Sequence, residues 1–433
     1  MKVGFISLGC DKNRVDTERM IFNLSEAGAT IVDDASEADV MIVNTCAFIE
    51  SAKKEAIENI LDMANLKKTS LKKLVVTGCF ATRYGEQVSG ELPEVDAFVN
   101  IKDEKEIVNV VFGLFNQPTD YCYREGRIVT TPAHYAYLRI ADGCNNRCSY
   151  CAIPAIRGKY VSEPLEKLVA EAQRLRAEGV RELILVAQDV TSYGKDVYGK
   201  PSLKKLLEEL VKIDFWKIRL LYTYPELIDD ELLDFIEKTP RMAKYLDIPM
   251  QHINSEILKK MARRGTSESV RALVKKIRSL NAYIAVRSTF IVGFPGETDE
   301  QNAELVDFVK DNFDYAGFFE YSPEEGTRAY EFDGRVKKSI MKKRRLACEK
   351  AQASATINRH ERLVGETVEV IYEGIDYRKG KFYGRTEYQA PDIDVNVYFT
   401  ADFPLEIGCV YNVKINKGGF YPEGTAIDEA LKE

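Results

Sequence analysis

Gly143-Cys144-Asn145-Asn146-Arg147-Cys148-Ser149-Tyr150-Cys151 places three thiols within eight residues, directly after a predicted strand at residues 137–140. A closed tetrahedral zinc site asks for four ligands, usually as paired Cys-x-x-Cys units. Three cysteines on one loop suit a cubane iron–sulfur cluster instead. Thiolates are its soft ligands, and the iron without a protein ligand stays open for a substrate. Zinc would need a distant fourth ligand such as Cys122 or His134.

Downstream of this loop, strands alternate with helices. Short apolar runs predict strands at 137–140, 182–187, 218–222, 245–248, 283–292 and 315–321. Helical periodicity falls between and after them, at 165–178, 203–213, 229–237, 256–262, 268–280 and 300–311. Six β/α units predict an open or partial version of the eight-unit barrel, in which sites collect at the carboxyl ends of the strands. Two features follow barrel strands: Pro249-Met250-Gln251-His252, and Phe290-Ile291-Val292-Gly293-Phe294-Pro295-Gly296-Glu297. The second is by itself only a strand-to-helix turn.

Upstream, residues 1 to about 115 show the same alternation, with strands at 3–8, 40–45 and 74–78 and helices at 15–27, 51–64 and 81–89. This predicts a small parallel α/β domain whose ligands sit beyond the strands' carboxyl ends. Each of these strands runs into a cysteine: Cys10, Cys46 and Cys79. Three thiols distant in sequence are thus expected at one sheet edge. Buried core cysteines would give the same pattern, but the positions beside Gly or Asn-Thr, where loops open, favour a metal. Residues 116–135, with Pro118 and Pro132, read as a connector.

A charged stretch at 337–360, containing Lys342-Lys343-Arg344-Arg345, reads as a solvated connector helix. From residue 364 the pattern alternates over 367–372, 382–386, 395–399 and 410–415, predicting a small antiparallel barrel of the kind used for RNA or protein contacts. The fold class is therefore α/β throughout the first two parts, and the domains expected are 1–120, 130–363 and 364–433.

Composition fits this plan. The chain has 433 residues, 45% hydrophobic and 30% charged, enough for two or three globular cores. Its net charge of −7 argues against a protein that coats nucleic acid. Residues 364–433 hold thirteen acidic and seven basic side chains, so most of the excess lies in the terminal barrel. Such a barrel is repelled by dense phosphate and attracted to a basic protein. The longest apolar runs, such as 183–187, are too short to span a bilayer. The opening Met1-Lys2-Val3-Gly4-Phe5-Ile6-Ser7 reads as a strand without a cleavage pattern, so a cytoplasmic location with no membrane partner is expected. Nine cysteines there are ligands or core residues rather than disulfides; Cys122, Cys348 and Cys409 stand alone. Trp216 is expected in the core.

The Cys-x3-Cys-x2-Cys loop, with Tyr150 before its last cysteine, resembles the radical S-adenosylmethionine superfamily. The resemblance implies that Cys144, Cys148 and Cys151 hold a [4Fe-4S] cluster whose open iron chelates S-adenosylmethionine. The reduced cluster then cleaves the cofactor to a 5′-deoxyadenosyl radical. Residues 290–297 resemble the fifth-strand segment that approaches the adenine, so Tyr150, Gly293 and Pro295 are the expected cofactor contacts.

Three dispersed N-terminal cysteines, a radical core and a terminal barrel together resemble the methylthiotransferases over essentially the whole chain. This implies a TRAM-type barrel and a second [4Fe-4S] cluster on Cys10, Cys46 and Cys79. That cluster would deliver sulfur to an unactivated C–H bond, and a second S-adenosylmethionine would supply the methyl group. Ser7-Leu8-Gly9-Cys10-Asp11-Lys12-Asn13-Arg14-Val15-Asp16 is similar to the RimO-type opening, which commonly has proline where Asp11 stands. The tRNA-adenosine branch more often reads Gly-Cys-Gln-Met-Asn. Asn44-Thr45-Cys46-Ala47-Phe48-Ile49-Glu50-Ser51-Ala52, Cys151-Ala152-Ile153-Pro154-Ala155-Ile156-Arg157-Gly158, and Gly384-Arg385-Thr386 with Ala390-Pro391 point to the same type.

The RimO type modifies an aspartate β-carbon of small-subunit ribosomal protein twelve, free or in the 30S subunit. It implies an electron donor such as flavodoxin or ferredoxin and a sulfur donor; tRNA is the alternative substrate. A cluster scaffold without catalysis is the competing class and would release no 5′-deoxyadenosine.

Overall fold

The computed structural model describes residues 1–117 and 119–430; Pro118, assigned to the connector above, and residues 431–433 lie outside them. The chain divides into two compact units. One comprises Met1–Thr131, Ala141–Val161 and Ser322–Tyr330; the other comprises Pro132–Ile140, Ser162–Tyr321 and Glu331–Glu433.

The first unit is built on five parallel strands: β1 (Lys2–Ser7), β2 (Thr30–Ile31), β3 (Val40–Thr45), β4 (Lys73–Thr77) and β5 (Ala97–Val99), in the order β2-β1-β3-β4-β5. Central β3 is apolar on both faces because both are covered. Val40 and Ile42 pack with Met20, Leu24 and Val108 on one side, while Met41 and Val43 pack with Ile60, Leu74 and Phe80 on the other. Strand order reverses direction between β1 and β3, the place where such sheets open a crevice. The flanking strands β2 and β5, two and three residues long, were too short to show a period in the sequence. The first helix, Asp11–Glu26, begins four residues before the expected start because its opening turn is polar yet buried at Lys12 and Asn13.

In the second unit, β6 (Tyr135–Arg139) opens the predicted series. Ala141–Asp142 (β7), within the inserted segment Ala141–Val161 that belongs to the first unit, leads into the cysteine loop, and Val161–Ser162 (β8) pairs with β7 on the far side. Then come β9 (Glu182–Val186), β10 (Lys217–Leu220), β11 (Met242–Asp247), β12 (Ala285–Val292) and β13 (Tyr315–Glu320). They pair in parallel in the order β13-β12-β11-β10-β9-β6, an open six-stranded sheet. All six strands fall within two residues of their predicted starts, except β11 by three residues, because each is a buried run bounded by turns or helices.

The helix Lys338–Glu361 corrects the reading of a solvated connector. Met341, Arg344, Cys348, Ala351, Gln352, Ala355, Thr356 and His360 form a buried stripe at helical spacing. Half of that stripe is polar, which hid it among the surface charges.

The terminal strands, β14 (Thr367–Asp376), β15 (Lys381–Arg385), β16 (Val397–Thr400), β17 (Val410–Lys417) and β18 (Glu423–Glu429), close a barrel in the order β14-β15-β16-β18-β17. The pairings are antiparallel except β16 with β18, which is parallel. Val370, Tyr372, Phe399, Val413 and Ile415 fill its interior.

A buried ionic chain joins this barrel to the amino ends of the six-stranded sheet. Glu182 accepts from Arg219 at 2.7 Å and Arg385 at 2.8 Å, and Glu373 meets Arg385 at 2.8 Å and His134 at 3.0 Å. Burial alone would raise the Glu182 pKa, but the two guanidinium groups hold it below the ordinary carboxylate value. Trp216 is buried, as expected, and donates through Nε1 to Glu369 at 2.9 Å.

Candidate iron–sulfur centres

Cys10, Cys46 and Cys79 follow β1, β3 and β4, so one edge of one sheet carries all three thiols, on either side of the switch point. Two glycines make their approach possible. Gly9 (φ +90°) lies so close to Cys46 that an added Cβ would sit 2.7 Å from the cysteine's Cβ and 3.1 Å from its Sγ. Gly78 (φ +87°) leaves room for the turn before Cys46; a Cβ there would meet Asn44 Oδ1 at 2.2 Å and the Thr45 carbonyl at 2.5 Å. Both conformations are ones that side chains disfavour.

Asn13 holds the three loops in register. Its Nδ2 donates to the Leu8 carbonyl at 3.1 Å and the Thr45 carbonyl at 2.9 Å. Its Oδ1 accepts from Cys79 Sγ at 3.8 Å, a distance suited to sulfur. A side chain on the first turn after Cys10 thus touches the segments carrying Cys10 and Cys46, and Cys79 itself. Burial pushes the Cys79 thiol up to about 12, with Arg157 opposing. Burial also raises the Cys46 thiol.

The second set occupies its own loop in the same unit. Gly143 (φ +76°) packs on the segment leading into β8, where a Cβ would lie 2.2 Å from the Lys159 carbonyl. Cys144 N–H donates to the Gly158 carbonyl at 3.2 Å, and Cys151 N–H to the Cys148 carbonyl at 3.2 Å. Cys144, Cys148 and Cys151 are half-buried, as is Tyr150. The strap Ser322–Tyr330 fastens this loop and the Cys46 loop together. Ala329 N–H donates to the Ser149 carbonyl at 2.8 Å, and Arg328 to the Arg147 carbonyl at 2.8 Å. Glu324 binds Lys53 at 3.0 Å and Arg83 at 2.7 Å, while Arg83 also donates to the Ala47 carbonyl at 2.9 Å.

Three thiols in each place are a donor set of the soft kind that iron–sulfur clusters take. Among the described residues no three His, Cys, Asp or Glu side chains converge closely enough to hold one metal ion. His134, weighed above as a zinc ligand, is engaged by Glu373, and Cys122 is exposed. No cysteine is in a disulfide among the described residues, and Cys348 and Cys409 are buried.

Gly293 and Pro295 are buried after β12, in the second unit. Gly293 has a packing reason to lack a side chain: a Cβ would lie 2.2 Å from Met341 Cγ. Its N–H donates to Glu297, which also binds Arg344 at 2.9 Å. His252 is fully buried behind this turn. Its Nδ1 accepts from Asn254 N–H at 3.0 Å, so Nε2 carries the proton and faces Glu297 at 3.3 Å. It supports the turn.

Comparison with known proteins bears on what these centres serve. Residues 2–100 match Uncharacterized protein family UPF0004, residues 138–309 the Radical SAM superfamily, and residues 364–421 the TRAM domain. "Ribosomal protein uS12 methylthiotransferase RimO" of Acetivibrio thermocellus is 44% identical over 451 residues, spanning 100% of this chain and 99% of that protein. The chain belongs to the RimO methylthiotransferase family. A RimO of a Thermoanaerobacter species is likewise 44% identical, over 94% of this chain and 95% of its own. Among solved structures, the radical S-adenosylmethionine methyltransferase TsrM of Kitasatospora setae shares the fold at a TM-score of 0.58 and 15% identity, over 84% of this chain and 91% of that one.

Within this RimO-family chain, the sequence singled out the six candidate cysteines but not Asn13, Arg157 or the strap. Asn13 and Arg157 stood inside the quoted stretches; no spacing rule marks a buried amide or guanidinium, and their partners come from other loops.

Proposed function

We infer that this chain is a radical S-adenosylmethionine methylthiotransferase that adds a methylthio group to the β-carbon of an aspartate in ribosomal protein uS12. The full-length likeness to RimO proteins carries the reading, and the two separate triads of thiols in one unit support it. In this reading Cys10, Cys46 and Cys79 hold one [4Fe-4S] cluster and Cys144, Cys148 and Cys151 the other. When bound, these groups with S-adenosylmethionine supply hydrogen abstraction at carbon and the sulfur that replaces the hydrogen.

The protein's own part is placement. Gly9 and Gly78 let the thiol loops close up, Asn13 fixes their register, and Gly143 seats the second loop. Raised thiol pKa values mean that Cys46 and Cys79 release protons on ligation. Tyr150, Gly293 and Pro295 are the proposed cofactor contacts. Three functional parts follow, at 1–120, 130–363 and 364–433, the last docking the basic substrate through its acidic surface. Flavodoxin or ferredoxin as reductant, a separate sulfur donor and a cytoplasmic setting complete the proposal. No helix among the described residues is long and apolar enough to cross a membrane.

Anaerobic reconstitution with S-adenosylmethionine and uS12 tests the division of labour. Cys144→Ala should abolish 5′-deoxyadenosine. Cys10→Ala should keep cofactor cleavage and lose methylthiolation; a Cys10→Ala enzyme that still methylthiolates uS12 would refute the assignment.

A further inference from the structure

Arg157 ends the short helix Ile153–Arg157, six residues after Cys151, and its side chain is almost wholly buried. It turns back between the two cysteine sets. Nη2 donates to Asn13 Oδ1 at 2.6 Å and to Asp16 Oδ2 at 2.8 Å. Nη1 donates to both carboxylate oxygens of Asp142 at 3.0 Å. Asn13 Oδ1 also lies 3.8 Å from Cys79 Sγ, so one oxygen neighbours both the guanidinium and a candidate ligand. Asp142 immediately precedes Gly143-Cys144. The chain therefore threads a permanent cation from the helix after the second cysteine set onto the first helix, directly after Cys10, with Cys10 and Cys79 in its electrostatic reach.

We propose that Arg157 is a positioning residue shared by both cysteine sites: it locks the helix that follows Cys10 to the strand that precedes Cys144 and sets the electrostatic environment of the cluster on Cys10, Cys46 and Cys79. The inference rests on the cluster assignment made above. A fixed charge acts strongly where water is excluded, and the potential of an iron–sulfur cluster follows the charge and hydrogen bonds around its sulfurs. The Arg157 cation favours the reduced cluster. The neighbouring Asp16 anion, buried on the same side, favours the oxidised one. The two substitutions therefore carry opposite signs, which a residue that only held the loops together would not produce.

The test uses the full chain with Cys144, Cys148 and Cys151 replaced by Ala, so that only the N-terminal cluster assembles, and reads its midpoint potential by an EPR-monitored titration. Arg157→Gln should shift the midpoint downward, Asp16→Asn upward, and Arg157→Lys should stay near the parent. Shifts of the same sign, or none, would overturn the proposal. If Arg157→Gln loses the cluster, Asp16→Asn decides alone: an upward shift supports the proposal, and no shift or a downward one overturns it. A parent protein that takes up no iron would overturn the cluster assignment itself and the inference with it.

Discussion

Asn13 and Gly78 show how much of the N-terminal centre depends on residues that ligate nothing. Asn13→Ala removes the two donor contacts that tie the Leu8 and Thr45 carbonyls and so hold the Cys10 and Cys46 segments together. The expected result, read by iron content and visible absorption, is loss of the N-terminal cluster's share of the iron while 5′-deoxyadenosine production continues. Gly78→Ala adds a left-handed backbone strain of about 1–2 kcal/mol to a collision with the Asn44–Thr45 turn. It should lower the melting temperature and impair cluster uptake together. The candidate ligands were legible because thiols crowd or end strands, which position alone reveals. The hub was not, because an asparagine on a helix's first turn reads as a cap until three loops are folded against it.

At the level of elements, the ionic chain and the helix Lys338–Glu361 make the second unit's testable points. Arg385→Met leaves Glu182 buried with Arg219 alone and strips Glu373 of its guanidinium. The expected cost is on the order of 3 kcal/mol in denaturant unfolding, since breaking a buried pair exposes the full desolvation of what is left.

His360, near the end of that helix, bonds Tyr315 at 3.1 Å and the Gly419 carbonyl at 2.9 Å. Burial holds its imidazole below the ordinary value of 6.5. The folded state then takes up the proton only at lower pH than the unfolded chain does. Its contribution is thus complete above the ordinary histidine range and is lost as pH falls through it. Melting temperature measured from pH 8 to pH 5 should decline, and His360→Gln should flatten that decline. The barrel strands were legible as buried runs. This helix was misread because Arg344, Gln352 and His360 occupy its inward face.

For the molecule as a whole, charge distribution and reaction outcome carry the account. The excess of acidic side chains in residues 364–433 should make association with a basic ribosomal protein weaken as salt rises. Reversing several of those charges should weaken binding and flatten the salt dependence, as measured by titration calorimetry. The architecture was largely readable from alternation and cysteine placement. The substrate was legible only through the RimO-type resemblance of the Cys10, Cys46 and Cys151 stretches; net charge alone favours a basic protein without naming an atom to be modified.

The most direct test is the intact mass of ribosomal protein uS12 from cells with and without this gene. Loss of one methylthio increment on deletion, localised to an aspartate, is the predicted result. An unchanged uS12 mass, with a methylthio-adenosine missing from tRNA instead, would contradict it.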